Sequence, residues 1–161
     1  MILKSKIQSI FALFFALAFG QGTLAQPADR PVRVDDRLFI AGTTALQKDG
    51  TVASPGDVYG QSQYAMETIR EILEEAGGTF GDLVYSKTFL TDMTQASAHQ
   101  RARMEALGDV RPPLTLLGIP GVQFPEIMVE IETEAIIGSA QDRKIIYTEN
   151  FNKINSDKDS K

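Results

Sequence analysis

The stretch DVYGQSQYAMETIREILEEAGG, residues 57–78, decides the fold because it carries the clearest helical pattern in the chain. Asp57 is a residue type that commonly caps a helix N-terminus, and Gly77–Gly78 is typical of a helix end. The sequence therefore predicts an amphipathic helix here. Its apolar face would contain Val58, Ala65, Ile69, Ile72, Leu73 and Ala76.

The segments on either side of this helix predict β-strands. Upstream, PVRVDDRLFIAG (31–42) predicts a hairpin whose turn is Asp35–Asp36. Downstream, DLVYSKTFLTD (82–92) predicts a strand in which Leu83, Tyr85 and Lys87 alternate with Val84, Thr88 and Leu90. The polar loop at 43–57 is long for a connector, which is typical of functional or interface loops.

The second half of the chain predicts one more helix and two more strands. TQASAHQRARMEALG (94–108) is the helix, and PLTLLGI (113–119) and EIMVEIETEAII (126–137) are the strands. KIIYTENF (144–151) is a candidate extra strand in an otherwise polar tail. Two helices can cover one face of a mixed sheet. The other face must also be buried, so we expect an α/β subunit of the α+β type that self-associates.

The last predicted strand has two different faces. Met128, Val129, Ile131, Ala135 and Ile136 would be buried, and three glutamates lie opposite. Like charges on one face of a sheet repel each other unless they are paired. We therefore expect arginine or lysine partners across the sheet for Glu130, Glu132 and Glu134.

Composition limits the chemistry. The chain has 161 residues, enough for one domain, with no cysteine and a single histidine. A thiolate nucleophile and a zinc cluster are therefore excluded, and no loop has the spacing of a calcium site. The formal net charge of −5 makes a nucleic-acid-binding role unfavourable, since such proteins present basic patches.

The first residues have the pattern of a secretory signal peptide. Lys4 and Lys6 precede an apolar run from Ile10 to Phe19, and small residues follow up to Ala25. We expect cleavage after Ala25, a periplasmic or secreted mature protein, and no membrane attachment after cleavage. The run is too short to span a bilayer, which needs about 20 residues. Loss of the two lysines would change the formal net charge from −5 to −7.

Several motifs together resemble the Rid/YjgF (reactive-intermediate deaminase) family. They are RLFIAGTT (37–44), the helix at 57–78, the strand at 82–92, GDVRPPLTLLG (108–118) and VEIETEAI (129–136). The resemblance divides the chain into a signal peptide at 1–25, a Rid-like domain at 26–138 and a polar C-terminal tail at 139–161.

The resemblance implies a chorismate-mutase-like fold and a homotrimer with ligand clefts between subunits. It also implies hydrolysis of reactive 2-imino acids to 2-keto acids and ammonia, without a cofactor. Such chemistry requires a cation for the substrate carboxylate, ideally a bidentate arginine. It also requires a carboxylate that holds water against the imine carbon.

The carboxylate is present and the arginine is in question. The first glutamate of the family's Glu-Ile-Glu run corresponds to Glu130, the catalytic candidate. In the gap-free alignment, Arg111 falls on the family's outer arginine and Leu114 on its ligand-binding arginine. A different gap placement would bring Arg111 onto the binding position. This chain resembles most closely a subset of the family that lacks the binding arginine.

Other pocket positions also differ from the active deaminases. The pocket asparagine falls on Gln100, the nearby tyrosine on Arg103, and the serine before the strand-end glycine, Gly42, on Ala41. The tyrosine near the start has no counterpart, because Ala28 occupies about that place. Thr115 and Leu116 follow Leu114 and complete the set of predicted ligand-binding residues.

Two classes of function stay open. One is an enamine/imine deaminase, in which Arg103 or Arg111 replaces the missing arginine. The other is a non-catalytic small-molecule binder with an apolar pocket lined by Leu114 and Leu116. His99 is interpreted as an ordinary helix residue rather than a catalytic base. We expect weak or lost canonical deaminase activity.

Overall fold

The computed structural model describes residues 30–146 and residue 148, and in this part of the chain one sheet carries two helices. The sheet order is β1-β2-β5-β3-β4. The strands are β1 (Val32–Val34), β2 (Arg37–Thr43), β3 (Leu83–Leu90), β4 (Leu114–Gly118) and β5 (Val129–Ile136). The helices are α1 (Val58–Glu75) and α2 (Ala96–Leu107), and short 3-10 segments lie at Phe80–Asp82, Met93–Gln95 and Ser139–Gln141.

The predicted mixed sheet is confirmed. β4 runs parallel to β3, whereas the pairs β1–β2, β2–β5 and β3–β5 are antiparallel. Asp35 and Asp36 form the predicted hairpin turn, and Asp35 has a positive φ of 54°. Aspartate is one of the few residue types besides glycine that adopts this conformation readily.

Helix α1 begins and ends where the sequence predicts. The Asp57 side chain accepts a hydrogen bond from the backbone N–H of Tyr59 at 2.9 Å and so caps the first turn. At the other end, Gly77 has a φ of 78°, and the N–H of Gly78 donates to the carbonyl of Leu73 at 2.7 Å. The reversal at Gly77 directs the chain back towards β3.

The hydrophobic core lies between the helices and one face of the sheet. Side chains from β2, β3 and β5 meet those of α1 there, and both helices pack on this face, as expected. The most buried of them are Leu38, Ile40, Val58, Ala65, Met66, Ile69, Leu73, Leu83, Leu90, Val129, Ile131 and Ala135.

The alternation predicted for β3 is wrong at its start. Leu83 faces the core, but Tyr85 and Lys87 face the opposite side of the sheet. The pairing between β3 and β5 shifts register between Leu83 and Tyr85. Such an irregularity inserts an extra residue into one strand. The residues before it therefore face the side of the sheet opposite to the one that strict alternation predicts.

Two predictions for the C-terminal part of the sheet are also corrected. Ile136 is only half-buried and lies on the face opposite Ala135, because alternation along β5 is unbroken. Lys144 to Ile146 form no strand, and the other residues of the candidate strand, except Thr148, lie outside the described residues. Instead, the N–H of Ala140 donates to the Asp82 carboxylate at 3.0 Å, which attaches the segment after β5 to the domain.

The predicted signal peptide and Ala28 lie outside the described residues. Within the described part, no helix combines the length and the apolar character that crossing a membrane would require.

A buried glutamine joins α1 to the two loops that flank it in space. The Gln61 amide nitrogen donates to the carbonyls of Glu126 at 2.7 Å and Ser54 at 3.3 Å. Its amide oxygen accepts from the N–H of Met128 at 2.7 Å. One side chain thus satisfies three backbone groups and holds the start of β5 against the helix.

We predict that Gln61→Leu lowers the free energy of unfolding by about 1–3 kcal/mol, because it leaves three partly buried backbone groups without their partner. Urea unfolding followed by circular dichroism measures the change. Gln63→Leu is the matched control, since Gln63 is exposed on the same helix. Equal unfolding midpoints for the two variants would contradict the role given to Gln61.

Candidate functional site

Glu130 and Gly42 lie side by side where β2 meets β5. Glu130 is opposite Phe89 of β3 and alternates with the core residues Val129 and Ile131, so its side chain lies on the face without helices. A Cβ on Gly42 would overlap the Glu130 carboxylate and lie 2.7 Å from its Cδ. Glycine at position 42 therefore makes room for the carboxylate, at the register shift between Ile40 and Thr43.

The β4 residues predicted to bind ligand divide between the two faces of the sheet. Leu114 is paired with Ser86 and Leu116 with Thr88, and both partners are buried on the helix side. Leu116 packs against the core cluster. Thr115 lies on the open face, where its hydroxyl accepts a hydrogen bond from the Tyr85 hydroxyl at 2.9 Å.

Arg103 lies on α2 next to the loop that leads into β4. Its side chain is 4% exposed, and its Nη2 donates to the carbonyl of Pro112 at 2.9 Å. Burial, together with the nearby charge of Arg111, lowers the pKa of Arg103. Gln100, one turn earlier on α2, is half-buried. The structure therefore places the Arg103 guanidinium at Pro112, two residues before Leu114.

Arg111 is exposed and lies away from Glu130. Its Nη1 donates to the carbonyls of Gly108 and Val110, the latter at 2.9 Å. The carbonyl of Pro113 accepts from the N–H of Ser86, so Arg111 lies beyond the start of β4, whereas Glu130 is level with Phe89. Phe89 is the third residue after Ser86 along β3, which corresponds to about 10 Å along the sheet.

Five of the predicted site residues thus form two separate groups within one chain. The Glu130 half-site consists of Gly42 and Glu130 on the open face. The Leu114 half-site consists of Leu114, Leu116 and Arg103 on the helix face. Because a sheet lies between them, a ligand cannot contact both half-sites of the same chain.

The open face carries the ion pairs expected for Glu132 and Glu134. Lys87 Nζ lies 3.0 Å from Glu132, and Arg37 Nη2 lies 3.7 Å from Glu134. The hydrogen bond and the charge of Glu132 raise the pKa of Lys87. A cavity of about 340 Å³ lies beside these pairs and is also lined by Phe39 and Tyr85.

His99 is fully buried between the two helices, which the sequence did not indicate. Ser62 Oγ donates its proton to the carbonyl of Val58 at 2.7 Å, so the contact of 3.0 Å with His99 requires Nδ1 to donate. His99 Nε2 then has no hydrogen-bond partner among the described residues. Burial, with a smaller effect of Arg103, lowers the pKa of His99 to about 4. A neutral, buried imidazole fits a structural role.

The described residues contain no group of histidine, cysteine, aspartate or glutamate side chains that could hold a metal ion.

Comparisons with known proteins identify relatives for almost the whole described domain. Residues 25–137 match the family model described as Endoribonuclease L-PSP. A Mycobacterium tuberculosis member of the highly conserved YjgF/YER057c/UK114 family is 28% identical, with a TM-score of 0.59, over 67% of this chain and 85% of that chain. A Pseudomonas aeruginosa protein of unknown function is also 28% identical, with a TM-score of 0.57, over 64% and 76% of the two chains. RidA from an Antarctic Psychrobacter is 22% identical, covers 66% and 85%, and has a TM-score of 0.61, which indicates a common fold.

We predict that acid destabilises the native state through His99. Its pKa is lower in the folded chain than the ordinary value of 6.5, so its contribution to stability is complete above pH 6.5 and is lost as the pH falls towards about 4. At pH 5 the loss amounts to about 2 kcal/mol. Between pH 7 and pH 5 the unfolding free energy of the wild type should fall by about 2 kcal/mol more than that of His99→Gln. Equal differences in the two proteins would contradict the prediction.

We also predict that Gly42→Ala displaces the Glu130 carboxylate without unfolding the domain, because the overlapping atoms belong to the end of a flexible side chain. A crystal structure of the variant would show the displaced carboxylate. Gly121→Ala is the control, since a Cβ there meets no atom within 4 Å. An unmoved carboxylate in Gly42→Ala would contradict the contact.

Proposed function

This chain belongs to the Endoribonuclease L-PSP family, also called the Rid/YjgF family, and on that premise we propose that it is an exported homotrimer with small-molecule clefts between its subunits and weak or lost 2-imino acid deaminase activity. The observation that carries the proposal is the position of Leu114. In the gap-free alignment, this hydrocarbon side chain occupies the position at which the active deaminases have an arginine.

The separation of the two half-sites supports clefts between subunits. Gly42 and Glu130 lie on the open face, whereas Leu114 and Leu116 lie on the helix face of the same sheet. A ligand that contacts both half-sites must take them from two chains. The open face also bears Phe39, 39% exposed, and half-buried aromatic and charged groups that a second copy would cover.

The weak activity that we propose follows from the charges that a substrate carboxylate would meet in the cleft. A substrate carboxylate beside Leu114 would lose water without gaining a cation, and burying an anion without a partner is costly. The Glu130 carboxylate would repel a second anion unless a cation intervened. A neutral or apolar ligand therefore suits a cleft lined by Leu114 and Leu116 better than a 2-imino acid does.

The alternative is an active deaminase that uses a relocated arginine, and the position of Arg103 favours it over one that uses Arg111. The Arg103 guanidinium lies at Pro112, two residues before Leu114, and its bond to Pro112 uses only Nη2. Arg111 instead reaches back to Gly108 and Val110. Cleavage of RNA, which the name of the family model suggests, is disfavoured by the formal net charge of −5.

We predict that Leu114→Arg raises the rate of hydrolysis of 2-iminopropanoate and 2-iminobutanoate about 10- to 100-fold over the wild type. A hydrogen bond to a charged group contributes about 1.5–3 kcal/mol, which corresponds to such a factor. A coupled assay of 2-keto acid release measures the rate. Leu114→Gln is the matched control, because it adds a polar group without a charge.

Mixed assembly tests whether the cleft lies between subunits. Chains that carry both Leu114→Arg and Glu130→Gln should be inactive alone, but should gain activity when refolded together with wild-type chains, whose Glu130 completes the cleft. Absence of complementation, or a monomer in analytical ultracentrifugation, contradicts the proposal. Rapid turnover by the wild type that Arg103→Gln abolishes would establish the alternative.

A further inference from the structure

A groove of about 450 Å³ lies at the end of the sheet farthest from Glu130. It is lined by Val84 near the start of β3, by Ile136 at the end of β5, and by Ile145 and Ile146. Ile136 is six residues from Glu130 along β5, or about 20 Å. The groove is therefore distinct from the Glu130 half-site.

Ile145 and Ile146 belong to a part of the chain beyond the residues that match the family. That match ends at residue 137, and the segment 139–146 turns back over the sheet edge. Two contacts hold it there. The N–H of Ala140 donates to Asp82 at 3.0 Å, and Arg143 Nη2 donates to the carbonyl of Arg111 at 2.9 Å.

The charge around the groove is unbalanced. Arg111, Arg143 and Lys144 line it together with a single acidic residue, Asp142. None of the ion pairs found among the described residues includes any of the three cations. The groove thus combines a net positive charge with exposed aliphatic side chains, of which Ile145 is 53% and Ile146 72% exposed.

The two guanidinium groups are held in place but still have donors to offer. Arg111 uses its Nη1 for the carbonyls of Gly108 and Val110, and Arg143 uses its Nη2 for the carbonyl of Arg111. A guanidinium has five N–H donors, so Nε and the second Nη of each group remain for a ligand. Planar donors of this kind match the oxygens of a carboxylate.

From these features we infer that the groove is a second binding site, which takes a small monocarboxylate with an apolar body. The carboxylate lies between Arg111 and Arg143, and the hydrocarbon lies against Val84, Ile136 and Ile145. Asp142 offsets one of the three positive charges, so the groove keeps a net positive charge that attracts an anion, while its aliphatic side chains favour a ligand whose remainder is apolar. The volume of the groove is in the range of ordinary small-molecule pockets.

Isothermal titration calorimetry of the purified protein with 4-phenylbutyrate tests the inference. Saturable binding of one ligand per chain is expected, together with at least 10-fold weaker binding of 4-phenylbutan-1-ol and 4-phenylbutylamine. Arg143→Gln should weaken 4-phenylbutyrate binding about 10- to 100-fold, because one charged hydrogen bond is lost. Ile145→Asp, at an exposed wall residue, should abolish it.

Lys48→Gln is the matched control, because it removes a positive charge from a distant exposed loop. Backbone chemical-shift changes should fall on residues 83–84, 111–113 and 136–146. The inference is overturned if Arg143→Gln binds as tightly as Lys48→Gln, if the alcohol binds as tightly as the acid, or if the shift changes fall around Gly42 and Glu130. The last result would place the carboxylate in the intersubunit cleft instead.

Discussion

The alternation of side chains along β5 is the constraint on which the rest of the structure depends. This strand is paired on both sides, with β2 and with β3, so its register determines which side chains of those strands share a face. Val129, Ile131 and Ala135 bury one face under the helices, and that burial places Glu130 on the other. A slip of one residue would expose the core set and bury the glutamates, so the position of Glu130 follows from hydrophobic burial.

The same alternation separates the two half-sites. Leu114 and Leu116 lie on the helix face because β4 pairs in register with Ser86 and Thr88, and Leu116 contributes to the core. Glu130 cannot join them on that face without disrupting β5. A site that needs both groups therefore depends on assembly, and a subunit can be correctly folded and still lack a complete site. This makes the contact between copies part of the proposed chemistry rather than an addition to it.

Local patterns predicted the elements well, because caps, turns and apolar spacing act over a few residues. Asp57, Gly77 and the Asp35–Asp36 turn all do what their residue types favour. The phase of β3 was mispredicted, since the irregularity before Tyr85 depends on pairing with a distant strand. The contacts of Gln61 with Glu126 and Met128 span more than sixty residues. No pattern near Gln61 indicates them, and the same holds for the contact between His99 and Ser62.

Arg103 shows that a cation for the proposed cleft need not come from position 114. Its guanidinium is buried beside Arg111, and both the burial and the like charge lower its pKa, so the surroundings already disfavour this cation. An anion bound next to it would relieve that penalty without any new side chain. Its bond to Pro112 opposes this use, because a guanidinium that moved into a cleft would leave a buried carbonyl unpaired. An arginine introduced at position 114 would not be held by such a hydrogen bond. It would also add to the positive potential of Arg103 and Arg111, which strengthens the attraction of an anion while it increases the repulsion among the cations. The balance of these two terms determines how much activity a cation at this position supplies.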